Sequence, residues 1–183
     1  MRTIKKIILF YIERKVLKVK KLVILRGKPA SGKSTVFRSL KKKRIMKDWI
    51  MIDHPLMKKK LGKQLAKEKF HNLIKESMET GKNIIGEETS RKTLNKLIGY
   101  YIRKHRYKVI VFQFEVNLKI SKKRDVARVK RGCDIHSVVL GEKLKDLHKM
   151  HEDRFDKNAI LVDTNKLGKK QVVEFILKKL KMG

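Results

Sequence analysis

The sequence predicts an α/β fold with a mainly parallel five-stranded sheet and helices on both faces. Short apolar runs alternate along the chain with longer stretches of helical spacing, and no internal repeat or low-complexity segment interrupts them. Such alternation is typical of a parallel sheet, in which each helix returns the chain across one face. With 183 residues, 41% of them hydrophobic, the chain is long enough to form one domain around its own core.

The predicted strands coincide with the apolar runs, and the clearest of them, residues 109–114, is rich in β-branched and aromatic side chains. Pro55 suits the first turn of a helix, with His54 as a candidate cap. The predicted strands are residues 22–25, 49–52, 84–85, 109–114 and 159–162. Further helices are predicted over residues 4–19, 33–43, 64–79, 93–105, 118–130, 137–151 and 169–180.

The first predicted helix belongs to a basic N-terminal extension, residues 1–21, ahead of a domain over residues 22–183. Its apolar residues recur at helical spacing, as expected for a helix that packs on the domain or on a partner. Its many basic residues also suit an anionic surface, although packing is the favoured interpretation. The apolar positions are Ile4, Ile7, Ile8, Tyr11 and Ile12.

The charge balance points to polyanionic partners. Lys and Arg number 50 and Asp and Glu number 18, so the formal net charge is +32. RNA, DNA and anionic membrane surfaces attract such a protein. A Lys-rich composition bias is the alternative, but thermophilic enrichment usually raises Glu together with Lys.

The single cysteine, Cys133, excludes an internal disulfide and fits a reducing compartment. The apolar run over residues 7–12 is too short to span a membrane, and Glu13 follows it instead of a small-residue cleavage site. We therefore expect a cytoplasmic protein without integral membrane association.

The strongest local signal is a phosphate-binding loop at residues 27–34, matching G-x-x-x-x-G-K-[ST] between a predicted strand and a predicted helix. Its backbone amides and the positive end of the helix would hold ATP phosphates. Lys33 would reach the β- and γ-phosphates, and Ser34 would ligate Mg²⁺. The fold class is accordingly a three-layer P-loop NTPase fold. The expected nucleotide-binding residues are Gly27, Pro29, Ala30, Ser31, Gly32, Lys33, Ser34 and Thr35.

Acidic residues follow the second and third predicted strands, where ligands of parallel sheets bind. Asp53 can accept the proton of an attacking hydroxyl, with a helix cap as the alternative role. Glu87 and Glu88 both suit the organisation of Mg²⁺ through water. The sequence alone does not separate these two glutamates, although Thr89 and Ser90, which follow, favour Glu88.

A very basic helix after the fourth strand predicts a lid. Arg124 and Arg128 are four residues apart and share one helix face. Two guanidinium groups over ATP could neutralise charge on the transferred phosphoryl group. A solvated basic face is the alternative interpretation.

Together these segments resemble the 5′-hydroxyl polynucleotide kinase domain of phage type, within the group of small P-loop kinases that includes zeta toxins and chloramphenicol phosphotransferase. The resemblance covers about residues 22–165. It implies that Asp53 is the general base, Lys33 and Ser34 bind ATP and Mg²⁺, Arg124 and Arg128 are lid arginines, and Glu88 holds the metal-organising position. Leu56 stands where the phage enzyme has an arginine for the acceptor nucleotide.

Three functions follow from these features. The first is ATP-dependent phosphorylation of 5′-hydroxyl ends of RNA or DNA, with residues 41–44, residues 58–60 and the lid as a basic funnel. The second is a kinase for a small molecule such as a sugar, a nucleotide or an antibiotic. The third is a nucleic-acid-binding protein with a regulatory ATP site.

Overall fold

The computed structural model describes residues 19–87, 96–131, 141–152 and 158–182. Five strands form one sheet in the order β2-β3-β1-β4-β5, and every strand pair is parallel. All strands therefore end at the same side of the sheet, called the carboxyl edge below. The strands are β1 (Lys21–Gly27), β2 (Ile50–Asp53), β3 (Ile84–Glu87), β4 (Lys108–Glu115) and β5 (Ile160–Asp163).

Helices connect the strands and lie on both faces of the sheet, as expected for parallel connections. A short 3₁₀ turn, Arg44–Met46, follows the first helix. The helices are α1 (Lys33–Lys41), α2 (His54–Leu61), α3 (Lys63–Glu79), α4 (Lys96–Lys104), α5 (Leu118–Lys130), α6 (Gly141–Glu152) and α7 (Lys169–Met182). No helix among the described residues is both long and apolar enough to cross a bilayer.

Each face of the sheet has its own hydrophobic core because successive strand residues point to opposite faces. On one face, Leu25 and Ile85 pack with Phe37 of α1 and Ile176 of α7. On the other face, Ile24 and Ile84 pack with α3 and α4, and Phe70 and Ile74 are almost fully buried there. Side chains at the ends of the strands therefore face either α1 or α3, depending on their position.

The predicted fold class is confirmed, and each predicted strand and helix of the domain has a counterpart among the described residues, although residues 93–95 and 137–140 of two predicted helices lie outside them. The cap of α2 differs from the prediction. Asp53 accepts the hydrogen bond from the Leu56 amide at 2.9 Å, whereas the His54 ring is buried against Phe70 with ring centroids 4.9 Å apart. The predicted helix over residues 4–19 lies outside the described residues except at its last position.

Gly27 is paired with Phe114 in the register of β1 and β4. Its φ is +144°, and a Cβ there would lie 2.1 Å from the backbone oxygen of Phe114. The amide of Lys28 also donates to that same oxygen, at 3.3 Å. The first glycine of the phosphate loop is therefore required by the approach of β4 as well as by its backbone angle.

We expect Gly27→Ala to destabilise the protein by about 3 kcal/mol or more, because β4 would have to move away from the loop. Gly62→Ala is the matched control, since Gly62 also has a positive φ of 78° but has open space within 4 Å of where a Cβ would stand. That variant should cost only about 1–2 kcal/mol. Urea denaturation of both variants measures the difference, and equal losses would contradict a role for the close contact.

Candidate active site

The phosphate loop joins the end of β1 to the first turn of α1 at the carboxyl edge. Lys33 begins α1, and its side chain turns back into the loop. The Lys33 Nζ donates to the carbonyl oxygens of Gly27 at 2.8 Å and Lys28 at 2.7 Å, and contacts the Ser31 hydroxyl at 3.2 Å. A positive charge is thus held within a curled backbone, which suits a cradle for phosphate oxygens.

Lys33 is almost completely buried, with 5% of its surface exposed. Its pKa is lowered to about 8, chiefly by burial: the carboxylates of Glu87 and Glu115 oppose that shift, and the charges of Arg128 and Lys58 add to it. A polyanion in the cradle would favour the charged form of Lys33. The protonation of the Lys33 side chain therefore depends on what binds beside it.

Glu87 is the acidic residue that the structure brings to the loop. It ends β3, is 1% exposed, and accepts a hydrogen bond from the Ser34 hydroxyl at 2.5 Å. Burial raises its pKa, and Asp53 on the neighbouring strand acts in the same direction. Glu88, the favoured candidate from sequence, lies outside the described residues, so its metal role stays a prediction.

The Ser34 and Glu87 side chains fit a magnesium ion. The second carboxylate oxygen of Glu87, Oε2, is buried and has no hydrogen-bond partner in the described part of the chain. Hydroxyl and carboxylate oxygens are the ligands that Mg²⁺ accepts beside nucleotide phosphates and water. Ser34 would hold the ion directly, and Glu87 would hold it directly or through water.

Asp53 lies beside Glu87 at the carboxyl edge. The two residues are paired in the register of β2 and β3, and adjacent strands lie about 4.8 Å apart. Met51 packs in the core beside α1, so alternation places Asp53 on that same face, toward Ser34. One oxygen of Asp53 caps α2, and the side chain is partly exposed. The helix cap and a catalytic carboxylate are therefore compatible roles of one side chain.

The two lid arginines have different surroundings. Arg124 donates to the carbonyl oxygens of Ala30 at 3.1 Å and Thr164 at 2.7 Å, and also to the Thr164 hydroxyl at 3.1 Å. It therefore ties α5 to the phosphate loop and to the end of β5, and its role at ATP stays a prediction. Burial and then Arg128 lower its pKa.

Arg128 also lies near the phosphate cradle. It pairs with the buried carboxylate of Asp125 at 2.9 Å, and its charge is near enough to lower the pKa of Lys33. The Ser121 hydroxyl, one helical turn before Arg124, donates to the Pro29 carbonyl at 3.0 Å. Helix α5 is thus tied to the loop by Ser121 and Arg124, and Arg128 is the second lid arginine whose charge acts on Lys33.

Other predicted loop residues are also accounted for. Ala30 adopts a positive φ of 54°, and Gly32 has a φ of 90° ahead of α1. Ser31 is 1% exposed, whereas Thr35 is exposed and its carbonyl oxygen accepts from Ser39. The positive φ angles give the loop its curl, and contact of Thr35 with a nucleotide stays a prediction.

The sequence motifs did not predict a series of polar side chains that contact one another at the base of the loop. Lys28 pairs with Glu115 at 3.0 Å, Glu115 accepts from the Gln113 amide at 3.0 Å, and Gln113 accepts from Arg26 at 3.1 Å. Arg26, Lys28 and Gln113 are all less than 10% exposed. The sequence signal was Gln113 and Glu115 at alternate positions of an otherwise apolar strand. These contacts hold the Lys28 side chain against Glu115 at the end of β4, rather than over the phosphates.

The predicted basic funnel divides between two edges. Helix α1 starts at the loop and rises about 13 Å over its nine residues, so residues 41–44 lie toward the opposite edge. These residues therefore lie away from the phosphate loop, and their contact with a nucleic acid stays a prediction. Lys58 of α2 lies on the site side, since its charge lowers the pKa of Lys33.

No family model and no curated protein sequence matches the chain. Solved structures do resemble it. A gluconokinase from Sinorhizobium meliloti 1021 aligns with a TM-score of 0.57 and 14% identity, over 88% of this chain and 92% of its own. Deoxyadenosine kinase from M. mycoides with bound dATP gives a TM-score of 0.54 and 19% identity, over 88% and 99%.

The chain has the fold of the P-loop kinases. A chain of the Pnkp1/Rnl/Hen1 RNA repair complex also aligns, with a TM-score of 0.56 and 17% identity, over 80% of this chain and 49% of that one. This chain therefore spans about half the length of that neighbour. At these identities the comparisons establish the P-loop kinase fold, and the acceptor has to be argued from the site.

Proposed function

We propose that this P-loop protein transfers the γ-phosphate of ATP to the 5′-hydroxyl end of RNA or DNA. One observation carries the kinase chemistry: the carboxylates of Asp53 and Glu87 end neighbouring strands beside the buried Lys33 cradle. The excess of basic residues, with a net charge of +32, carries the choice of a nucleic-acid acceptor.

Each step of the transfer has a residue suited to it. The loop amides and Lys33 hold the β- and γ-phosphates, and Arg128 adds charge on the lid side. A bound Mg²⁺ supplies electrostatic stabilisation of the phosphate oxygens. Asp53 accepts the proton of the 5′-hydroxyl while the hydroxyl oxygen forms a bond to the γ-phosphorus. The bond between the γ-phosphorus and the bridging oxygen breaks, and ADP leaves with its electron pair.

Lys58 is the best candidate for contact with the acceptor backbone. It lies on α2, five residues after Asp53, and its charge reaches Lys33 and His54. Leu56, which stands where the phage enzyme has its acceptor arginine, is 49% exposed and uncharged. A lysine would contact a phosphate as a point charge, with less geometric selectivity than a bidentate arginine.

The proposal also agrees with the third comparison, because a chain of an RNA repair complex shares the fold. A small-molecule kinase is the alternative function, since gluconokinase and deoxyadenosine kinase share the same fold. The two functions differ in how the acceptor binds. Only a nucleic-acid acceptor should show strong salt dependence, because its phosphates release counterions on binding. A cytoplasmic location belongs to the same proposal.

The deciding experiment incubates the protein with labelled ATP and Mg²⁺ and offers 5′-hydroxyl RNA, 5′-hydroxyl DNA, nucleosides and sugars as acceptors. We expect label on the oligonucleotides, and we expect the affinity of the protein for them to fall sharply as the salt concentration rises. A 5′-phosphorylated oligonucleotide is the matched control and should remain unlabelled. Label on a nucleoside or sugar alone would establish the small-molecule kinase instead. Tight oligonucleotide binding with no transfer would establish the regulatory alternative.

We expect Lys58→Ala to raise the KM for an oligonucleotide about fivefold to tenfold and to leave the KM for ATP nearly unchanged. Loss of one phosphate contact should also reduce the salt slope of binding by about one. Lys42→Ala is the control, because Lys42 is an exposed lysine toward the opposite edge. Steady-state kinetics at several salt concentrations tests this, and equal effects of both variants would contradict a specific role for Lys58.

A further inference from the structure

The outward face of α3 carries a groove that the described residues leave open. Its lining side chains recur at helical spacing along α3 and continue to the end of α2. Leu65 is 59% exposed and Leu61 is 36% exposed, which is unusual for large apolar side chains placed side by side. The groove is lined chiefly by Leu61, Leu65, Glu68, Asn72, Leu73 and Glu76.

We propose that residues 4–12 of this same chain dock in the groove as an amphipathic helix. The point where the N-terminal segment joins the domain supports this. Lys20 lies against Gly81, just after the end of α3, with its Nζ 3.3 Å from where a Cβ would stand. The amide of Lys21 donates to Asn83 at 2.8 Å. The segment therefore joins the domain beside one end of the groove.

The dimensions agree with an antiparallel arrangement. A nine-residue helix is about 13 Å long, and Leu65 and Leu73 are about 12 Å apart along α3. From Leu73 to Gly81 the distance along α3 is about 12 Å, and six linking residues can span about 20 Å. Tyr11 and Ile12 would then lie near Leu73, and Ile4 near Leu65.

Charge also favours this occupant over a lipid surface. The groove holds Glu68 and Glu76 with one lysine, Lys69, in a chain of net charge +32. Residues 1–18 carry six basic residues and one acidic residue, Glu13, and the docking residues 4–12 themselves carry Lys5 and Lys6 and no acidic residue. A basic helix with an apolar stripe is complementary to a groove with leucines and carboxylates. The basic residues are Arg2, Lys5, Lys6, Arg14, Lys15 and Lys18.

Disulfide trapping tests the docking in the full-length chain. In a Cys133→Ser background, Ile4→Cys is combined with Leu65→Cys, and a control combines Ile4→Cys with Ile45→Cys. Ile45 is similarly exposed, at 46%, but lies in the turn after α1, toward the opposite face. Under mild oxidation we expect about tenfold more intramolecular disulfide with Leu65→Cys, because docking raises the effective concentration. Equal yields in the two pairs would overturn the proposal.

Hydrogen exchange gives an independent measurement without cysteines. We expect Ile8→Asp to speed amide exchange in residues 65–76 severalfold, while Ile45→Asp leaves that region unchanged. Cross-links that form only between molecules would assign the groove to a second copy and overturn docking within one chain. Unchanged exchange in Ile8→Asp would also overturn it. None of these results depends on the acceptor, so the test stands apart from the proposed kinase activity.

Discussion

Asp53→Asn is expected to lower the rate of phosphoryl transfer by about 10²–10⁴-fold while leaving the fold nearly unchanged. The amide oxygen of asparagine can still accept from the Leu56 amide, so the cap of α2 survives. Asparagine has no basic oxygen to take the proton of the attacking hydroxyl. The measurement is single-turnover transfer to the preferred acceptor, with ATP binding followed separately.

A second substitution separates the two roles of Asp53. Asp53→Ala removes both the base and the cap, so it should lose activity to the same extent and also about 1 kcal/mol of stability. If Asp53 were only a cap, Asp53→Asn would be fully active and Asp53→Ala would be impaired in proportion to its stability. Denaturation curves and transfer rates on the same samples distinguish these outcomes.

The sequence predicted the sheet, the phosphate loop and Asp53 because each depends on local patterns. Short apolar runs define strands, and the glycine spacing with Lys33 defines the loop. Asp53 could be placed because the carboxyl edge is where parallel strands present ligands. The order of the strands and the pairing of Asp53 with Glu87 required the folded structure.

The choice between Glu87 and Glu88 shows what a local pattern omits. Ile84 faces α3 and Ile85 faces α1, so continuing the alternation brings Glu87 to the α1 face beside Ser34. The same alternation would have extended the predicted third strand, residues 84–85, by two residues to Glu87. Glu88 was favoured only because Thr89 and Ser90 follow it in the sequence. Which residues follow a glutamate does not show which face of the strand that glutamate occupies.

Long-range polar contacts explain the remaining differences. Arg124 and Arg128 are equivalent on a helical wheel, yet only the folded chain brings Thr164 to the Arg124 guanidinium. The partners of Gln113 and Glu115 come from β1 and the loop after it, more than eighty residues earlier. No spacing rule states which distant side chains meet, so such contacts follow only from the folded chain.

Lys33→Met should reduce transfer by about 10³-fold or more, because it removes the buried cation that stabilises the phosphoryl group in the transition state. Methionine has a comparable length and no charge, so it fills the same space but leaves the Gly27 and Lys28 carbonyl oxygens without the Lys33 donor. Transfer rates and ATP affinity measure the effect. Activity within tenfold of the unaltered protein would contradict a role for Lys33 at the phosphates.

The pH dependence of ATP binding provides the matching control. Burial lowers the pKa of Lys33 to about 8, so near pH 9 most unliganded molecules hold it neutral. ATP phosphates favour the charged form, so binding should take up protons above pH 8 and weaken as the pH rises further. Calorimetry in buffers of different ionisation enthalpy measures that uptake. Lys33→Met should abolish it, whereas an unchanged uptake in the variant would assign the proton to another group.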